Sequence, residues 1–174
     1  MVVDGVVVDA NIMSKFYHQL LLEEGDLYEL ITTIIHCYGI ALSDKIEQEW
    51  KNTVRTQFFN DWFDEALKNG RLRYVENPRL EKRYLKRIHN VYGLPKKKGR
   101  DIEYIKVAYM TILKYILTED IHFYDPKKKH ASQKEKKKVK NKRQGALCRY
   151  LKKALGITVG LPEHCYDDLP ELST

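Results

Sequence analysis

The sequence predicts an α/β protein, three-layered α/β/α, around a central and mainly parallel sheet. Two observations carry that expectation. Short runs of β-branched and apolar residues (GVVVDANI, IAL, YILT and ITV) are separated by longer helical patterns, and strands that alternate with helices form parallel sheets covered on both faces. The chain has 174 residues and is 43% hydrophobic, enough for one domain with a single core.

The elements follow in order. GVVVDANI is a run buried on both faces that ends in the polar Asp9-Ala10-Asn11. Met13 to Leu22 is helical, and Gly25 breaks it. Asp26 opens DLYELITTIIHCY, whose Leu27, Leu30, Ile31, Ile34 and Ile35 form an apolar stripe at helical spacing. This stripe is expected to face the core. Gly39 closes the helix and IAL, 40–42, is the second strand. Ser43-Asp44, with Glu47 as capping partner, starts one long helix through Trp50, Phe58, Phe59, Trp62, Phe63 and Leu67, ended by Asn69-Gly70. Leu72 to Val75 is a short strand, and Pro78 precedes a helix over 79–91. GLPKKKGR, 93–100, is a loop by its Gly, Pro and lysines. DIEYIKVAYMTIL is a helix from Asp101, YILT a buried strand, GALCRYLKKALG a short amphipathic helix, and ITV the last strand. The whole chain, 1–174, reads as one domain with a basic insertion at about 127–145 before the last helix and strand.

Charge is divided unevenly. The net charge is +7, yet Lys127 to Lys153 holds thirteen Lys or Arg against Glu135 alone, +12, which leaves −5 for the rest. A basic segment on an acidic body suggests a polyanion held by one part and metal by the other. Lys127, Lys128, Lys129, Lys136, Lys137, Lys138, Lys140, Lys142 and Arg143 are the candidate phosphate contacts. No Tyr, Phe or Trp lies between Lys127 and Arg149, so base stacking would have to come from elsewhere. Tyr104, Tyr109 and Tyr124 are candidates, but core packing is the expected role of each.

Cys37, Cys148 and Cys165 are odd in number and lack a CxxC spacing, which fits a reduced, cytoplasmic setting without disulfides or zinc. No apolar run approaches the roughly 18 residues of a membrane span. A Walker-type GxxxxGK[ST] is absent, and ITVGLPEHC lacks the lysine expected of a receiver-like domain.

Four acids stand at element boundaries. Asp9 and Asp120 each follow an apolar strand, Asp101 opens a helix, and Glu49 lies early in the helix after IAL. In a parallel sheet these positions converge at the carboxyl edge. Clustered carboxylates repel and need a cation, and oxygen-only donors suit Mg²⁺ or Mn²⁺. Two such ions about 3.5–4 Å apart can activate water and stabilise the leaving oxygen of a phosphodiester displacement.

These blocks together resemble the PIN domain, a family of metal-dependent nucleases, over nearly the whole chain. VVVDANI is similar to the family's first strand, with Asp9 and Asn11. ALSDKIEQEW is similar to its second strand and helix, with Ser43 and Glu49, or Glu47 as the weaker match. DIEYIKVA, led by Asp101, resembles the third acidic block. LTEDIHF resembles the fourth, with Thr118, Asp120 and Phe123. Two features depart from the family. His122 stands where a fifth acid often occurs, with Asp125 as its substitute, and the basic segment looks inserted. The resemblance implies metal-dependent endoribonuclease activity, with Asp9, Glu49, Asp101 and Asp120 as catalytic metal ligands. Asn11 and Thr118 would be accessory, orienting a carboxylate or water. A toxin or defence role would add a homodimer and an antitoxin or other protein regulator. The competing expectations are a DNA nuclease of the same fold and a PIN-like RNA-binding module that does not cut.

Overall fold

The computed structural model describes residues 3–96 and 100–174. It is an α/β protein in which every strand pairing is parallel. The strands are β1 (Val7–Val8), β2 (Ile40–Leu42), β3 (Leu72–Tyr74), β4 (Tyr115–Leu117) and β5 (Thr158–Gly160). The helices are α1 (Ala10–Leu22), α2 (Asp26–Cys37), α3 (Asp44–Thr53), α4 (Gln57–Lys68), α5 (Lys82–Lys86, continued by a π-helical turn Arg87–Val91), α6 (Arg100–Tyr109), α7 (Ile121–Tyr124), α8 (Gln133–Lys142), α9 (Ala146–Leu155) and α10 (Cys165–Asp168).

β4 lies between β1 and β5, and β2 pairs with β3. A single parallel bridge, Val6 to Ile40, places β2 beside β1. The spatial order is therefore β3-β2-β1-β4-β5. The chain builds outward from β1 on one side, then crosses to build on the other. A parallel sheet opens a crevice at the carboxyl ends of its strands where this reversal falls, here between β1 and β4.

The β1–β2 ladder is short for an identifiable reason. Val6 gives its N–H to Gly39 and accepts from Ala41, both at 3.0 Å. Val8 faces the same side two residues on, but its carbonyl accepts instead from the indole Nε1 of Trp50, at 3.1 Å. Trp50 is fully buried and comes from α3. The indole satisfies a carbonyl that a strand would otherwise take, and it ties α3 to the end of β1.

Several boundaries differ from the sequence reading. The single long helix expected after Ser43 is two, because Val54 turns extended (φ −114°, ψ 92°) and Thr56 caps α4 by accepting from the Phe59 N–H. Ser43 does cap α3, but its partner is the Ile46 N–H. Glu47 is instead bonded to Lys51 and to the Tyr74 hydroxyl. The helix expected over 79–91 starts at Lys82, after the buried Leu80, which belongs to no helix or strand. α6 stops at Tyr109, short of Leu113, because the Thr111 hydroxyl turns back to the Ala108 carbonyl and accepts from the Lys114 N–H. Residues 97–99 of the expected 93–100 loop lie outside the described residues.

The α2 stripe of Leu27, Leu30, Ile31, Ile34 and Ile35 is buried in the core, so it offers no dimer surface. Tyr104 and Tyr124 are fully buried and Tyr109 packs half-buried against the core. None of the described helices is long and apolar enough to cross a membrane, and the three cysteines are free thiols.

Candidate metal centre

Asp9 leaves β1 and occupies the N-cap position of α1, yet its side chain makes no capping bond. That is informative, because Ser43, Thr56, Asp120 and Ser132 all cap their helices through the side chain. The Asp9 carboxylate turns inward. It is 4% exposed, and its Oδ2 accepts from the Thr118 hydroxyl at 2.9 Å. Burial pushes its pKa up to about 7; the Thr118 hydrogen bond lowers it, and the charges of Asp120, Glu49 and Asp101 raise it again. The charges of the other three acids picked out in the sequence thus reach Asp9 at the β1–β4 crevice. Among the described residues, no Lys, Arg or His forms an ion pair with Asp9.

Thr118 joins the two strand-end aspartates. Its hydroxyl donates to Asp9 and accepts the Asp120 N–H at 3.0 Å, while its carbonyl accepts from the buried Tyr124 hydroxyl at 2.8 Å. Asp120 caps α7, accepting the His122 N–H at 2.9 Å. This capping geometry brings the His122 ring back over the acids. Its Nδ1 is 3.4 Å from Asp101 Oδ2 and 3.6 Å from Asp120 Oδ1. Asp101, Asp120 and His122 offer three donor atoms within 4.8 Å of one another. Tyr104, also fully buried, has a pKa raised by desolvation and then by the charges of Asp9 and Glu49. Its hydroxyl lies beside Asp9, Glu49 and the Ala10 backbone.

Asp125 is placed otherwise than as a fifth acid. Its carboxylate accepts the Lys127 N–H at 3.1 Å and caps the short 3-10 turn of Pro126–Lys128. Glu103 went unremarked in the sequence. It is 5% exposed and accepts from the Ser43 hydroxyl at 2.9 Å, which fixes α6 against the end of β2. Its only sequence signal is an acid two residues after Asp101, set among the apolar Ile102, Tyr104 and Ile105.

Two clefts open on this edge. One, about 390 Å³, is lined by Asn11, Ser14, Lys15, Glu119, Asp120 and Lys140. It runs from the basic segment to the acids, and Lys140 holds its rim by donating to the Glu119 carbonyl at 2.9 Å. The other, about 670 Å³, lies beyond β2 and β3 and includes Ser43, Lys45, Arg79, Glu103 and Lys106. Asn11 is exposed in the first cleft, while Thr118 is buried beneath the site.

The basic residues divide. Lys137, Lys138 and Lys142 are exposed on α8. Lys127 lies within the 3-10 turn and Lys129 closes it, and Lys136 and Lys140 lie on the half-buried side of the helix. Lys128 pairs with Glu135 at 2.8 Å. Arg143 differs from its expected phosphate role: both its terminal nitrogens bond Asp168 at 2.7 Å, and Asp168 also accepts from the Tyr115 hydroxyl. It anchors the end of α8 to α10. Gly145 completes the anchor, because any side chain there would run into the Tyr124 carbonyl.

Comparison of the chain with protein-family models, with curated proteins and with solved structures found no match.

Proposed function

We propose that the protein is a divalent-metal-dependent endoribonuclease with a PIN-like, three-layer α/β/α arrangement. The observation that carries this reading is the Asp9 carboxylate. It is buried at the strand-order reversal, ringed by the charges of Asp120, Glu49 and Asp101, and held by a neutral hydroxyl rather than a cation. A fold gains nothing from burying one carboxylate beside three other acids, so the arrangement makes sense as one half of an ion-binding site. The oxygen-rich donor set fits Mg²⁺ or Mn²⁺. Asp9, Glu49, Asp101 and Asp120 would hold the metal, which when bound supplies activation of water and neutralisation of charge on the reacting phosphate.

The remaining residues bind and orient. Thr118 fixes the Asp9 carboxylate and the Asp120 backbone in one register. Asn11, Ser14 and Lys15 line the cleft that leads to Asp120, where a phosphodiester could be positioned. The exposed lysines of α8 would hold the sugar-phosphate backbone without sequence choice, and Lys140 connects that helix to the cleft. An insertion that carries such a helix to the mouth of the site supports a polyanionic substrate.

Labelled single-stranded RNA and DNA of matched sequence, incubated with wild type and Asp9→Asn in Mn²⁺, Mg²⁺ or EDTA, test the proposal. RNA cleavage that requires metal and is lost in Asp9→Asn is expected. Cleavage of DNA alone would replace the substrate, and cleavage that survives EDTA would sink the mechanism.

A further inference from the structure

We infer that the face where α5 and its π-helical turn meet α9 is a stacking platform for unpaired RNA bases, centred on Tyr92, Tyr150 and Arg87. The inference rests on the RNA reading above and adds a surface outside the crevice, one that holds bases rather than phosphates.

The chain carries a second basic run besides Lys127 to Lys153. From Lys82 to Arg100 there are eight Lys or Arg and no Asp or Glu. The fold brings the two runs together. Gly93 lies against Lys127, where an added Cβ would be 3.6 Å from the lysine Cγ. Tyr92 of one run stacks on Tyr150 of the other, with centroids 4.6 Å apart and planes inclined at 30°.

The π-helical turn helps to build this seam. The Tyr92 N–H donates to the Arg87 carbonyl, five residues back, at 3.0 Å. In an α-helix residues five apart diverge round the axis, whereas the wider π turn, a feature that recurs at functional sites, draws them toward one side. Arg87 and Tyr92 accordingly meet the same ring, with the Arg87 guanidinium 5.6 Å from the Tyr150 centroid. Arg83, earlier in the helix, is paired with Glu81 at 3.0 Å. Arg87 is exposed and forms no ion pair among the described residues. Tyr92 and Tyr150 are only half-buried, so the pair keeps part of its surface in water.

Single-stranded nucleic acid is held by a cationic track furnished with aromatic rings, because every base has a π face to stack. Helix α8 has the charge but no ring. Tyr104 and Tyr124, two of the tyrosines considered for stacking, are fully buried. The Tyr92–Tyr150 seam supplies rings where the two basic runs touch. Arg149, next to Tyr150, lines a cleft of about 290 Å³ together with Lys152, Lys153 and no acid, a place for the flanking phosphates. Charge complementarity selects a polyanion, and the rings select one that carries bases.

Fluorescence anisotropy tests this, with the full chain titrated in EDTA into a labelled RNA of about ten nucleotides or an abasic strand of equal length and charge. Wild type is expected to bind the base-bearing strand about tenfold more tightly than the abasic one. Tyr92→Leu and Tyr150→Leu should each lose about fivefold on the base-bearing strand and little on the abasic one, while Tyr92→Phe keeps both affinities. Arg87→Lys keeps the charge and loses the planar group, so it should reduce the base preference at an unchanged salt slope. Circular dichroism checks folding, and the exposed Arg87 decides the matter if a leucine variant unfolds. Equal binding of the two strands by wild type, binding of neither, or a full base preference in the folded variants overturns the platform. The nuclease reading fails separately. Base-dependent binding without metal-dependent cleavage sinks that reading and leaves this face standing, and cleavage beside equal binding of both strands does the reverse.

Discussion

The β1–β4 crevice and helix α8 both concentrate charge of one sign, and they handle it in opposite ways. In the crevice, Asp9 is buried beside three other acids and its carboxyl is pushed up to about 7. On α8, Lys137, Lys138 and Lys142 repeat a single charge in the open, where water screens it. Like charges at a wet surface cost the fold little, whereas like charges out of water cost it several kcal/mol. The first arrangement needs a ligand of opposite sign to be comfortable, and the second merely accepts one. This contrast suggests that the crevice is an ion site built into the fold and that α8 is a polyanion handle attached to it.

The strongest way to break the contrast is Asp9→Asn. The folded-state pKa of Asp9 lies above its value of 3.8 in the unfolded chain, so its contribution is fully present below 3.8 and is lost as pH rises through about 7. At pH 8 without metal, an ionised Asp9 costs the fold about 4 kcal/mol. Asp9→Asn keeps an acceptor for the Thr118 hydroxyl and removes that cost. Urea denaturation in EDTA should show wild type losing stability from pH 4 to pH 8 while Asp9→Asn changes little. Equal pH profiles would mean that Asp9 is not in a strained ionic state.

Trp50→Ala tests the frame under the crevice. It empties a fully buried site and leaves the Val8 carbonyl, next to Asp9, without its indole donor. A loss of about 3–5 kcal/mol is expected from chemical denaturation. A loss under about 1 kcal/mol would contradict the role given to Trp50 at the β1–β2 split. Gly145→Ala, which presses a methyl group against the Tyr124 carbonyl, should destabilise by about 1–3 kcal/mol, seen as a lower Tm. It loosens α8 from the body without changing a charge.

The smallest effect on folding, and a large one on binding, is expected from replacing Lys137, Lys138 and Lys142 together with alanine. Stability should stay within about 0.5 kcal/mol. Affinity for single-stranded RNA should fall, and the dependence of log K on log salt should flatten by about 2. An unaltered salt slope would remove α8 from the binding surface. The same comparison made with Arg143→Ala should instead cost stability, because Arg143 is committed to Asp168.

The sequence made the strands legible where burial was one-sided in composition: IAL matches β2 at both ends, and YILT and ITV fall within a residue of β4 and β5. It also placed Asp9, Glu49, Asp101 and Asp120 where their charges meet, because in a parallel sheet a strand end and the next helix start share one edge. What it missed depended on tertiary partners. The apolar period runs through Val54 to Thr56, so the break between α3 and α4 shows only in the extended Val54 and the Thr56 cap. His122 read as a departure from an acidic pattern, and its approach to Asp101 follows from a capping bond that periodicity does not reveal. Arg143 read as one more cation of a basic run because Asp168 is distant in the chain.

Thermal denaturation of wild type and Asp9→Asn at pH 8, with MnCl₂ titrated against an EDTA control, tests the ion site most directly. Wild type should rise in Tm steadily with Mn²⁺, by linkage to binding in the folded state, and Asp9→Asn should start higher and hardly respond. A wild-type Tm indifferent to Mn²⁺, or an equal rise in both proteins, would contradict the account.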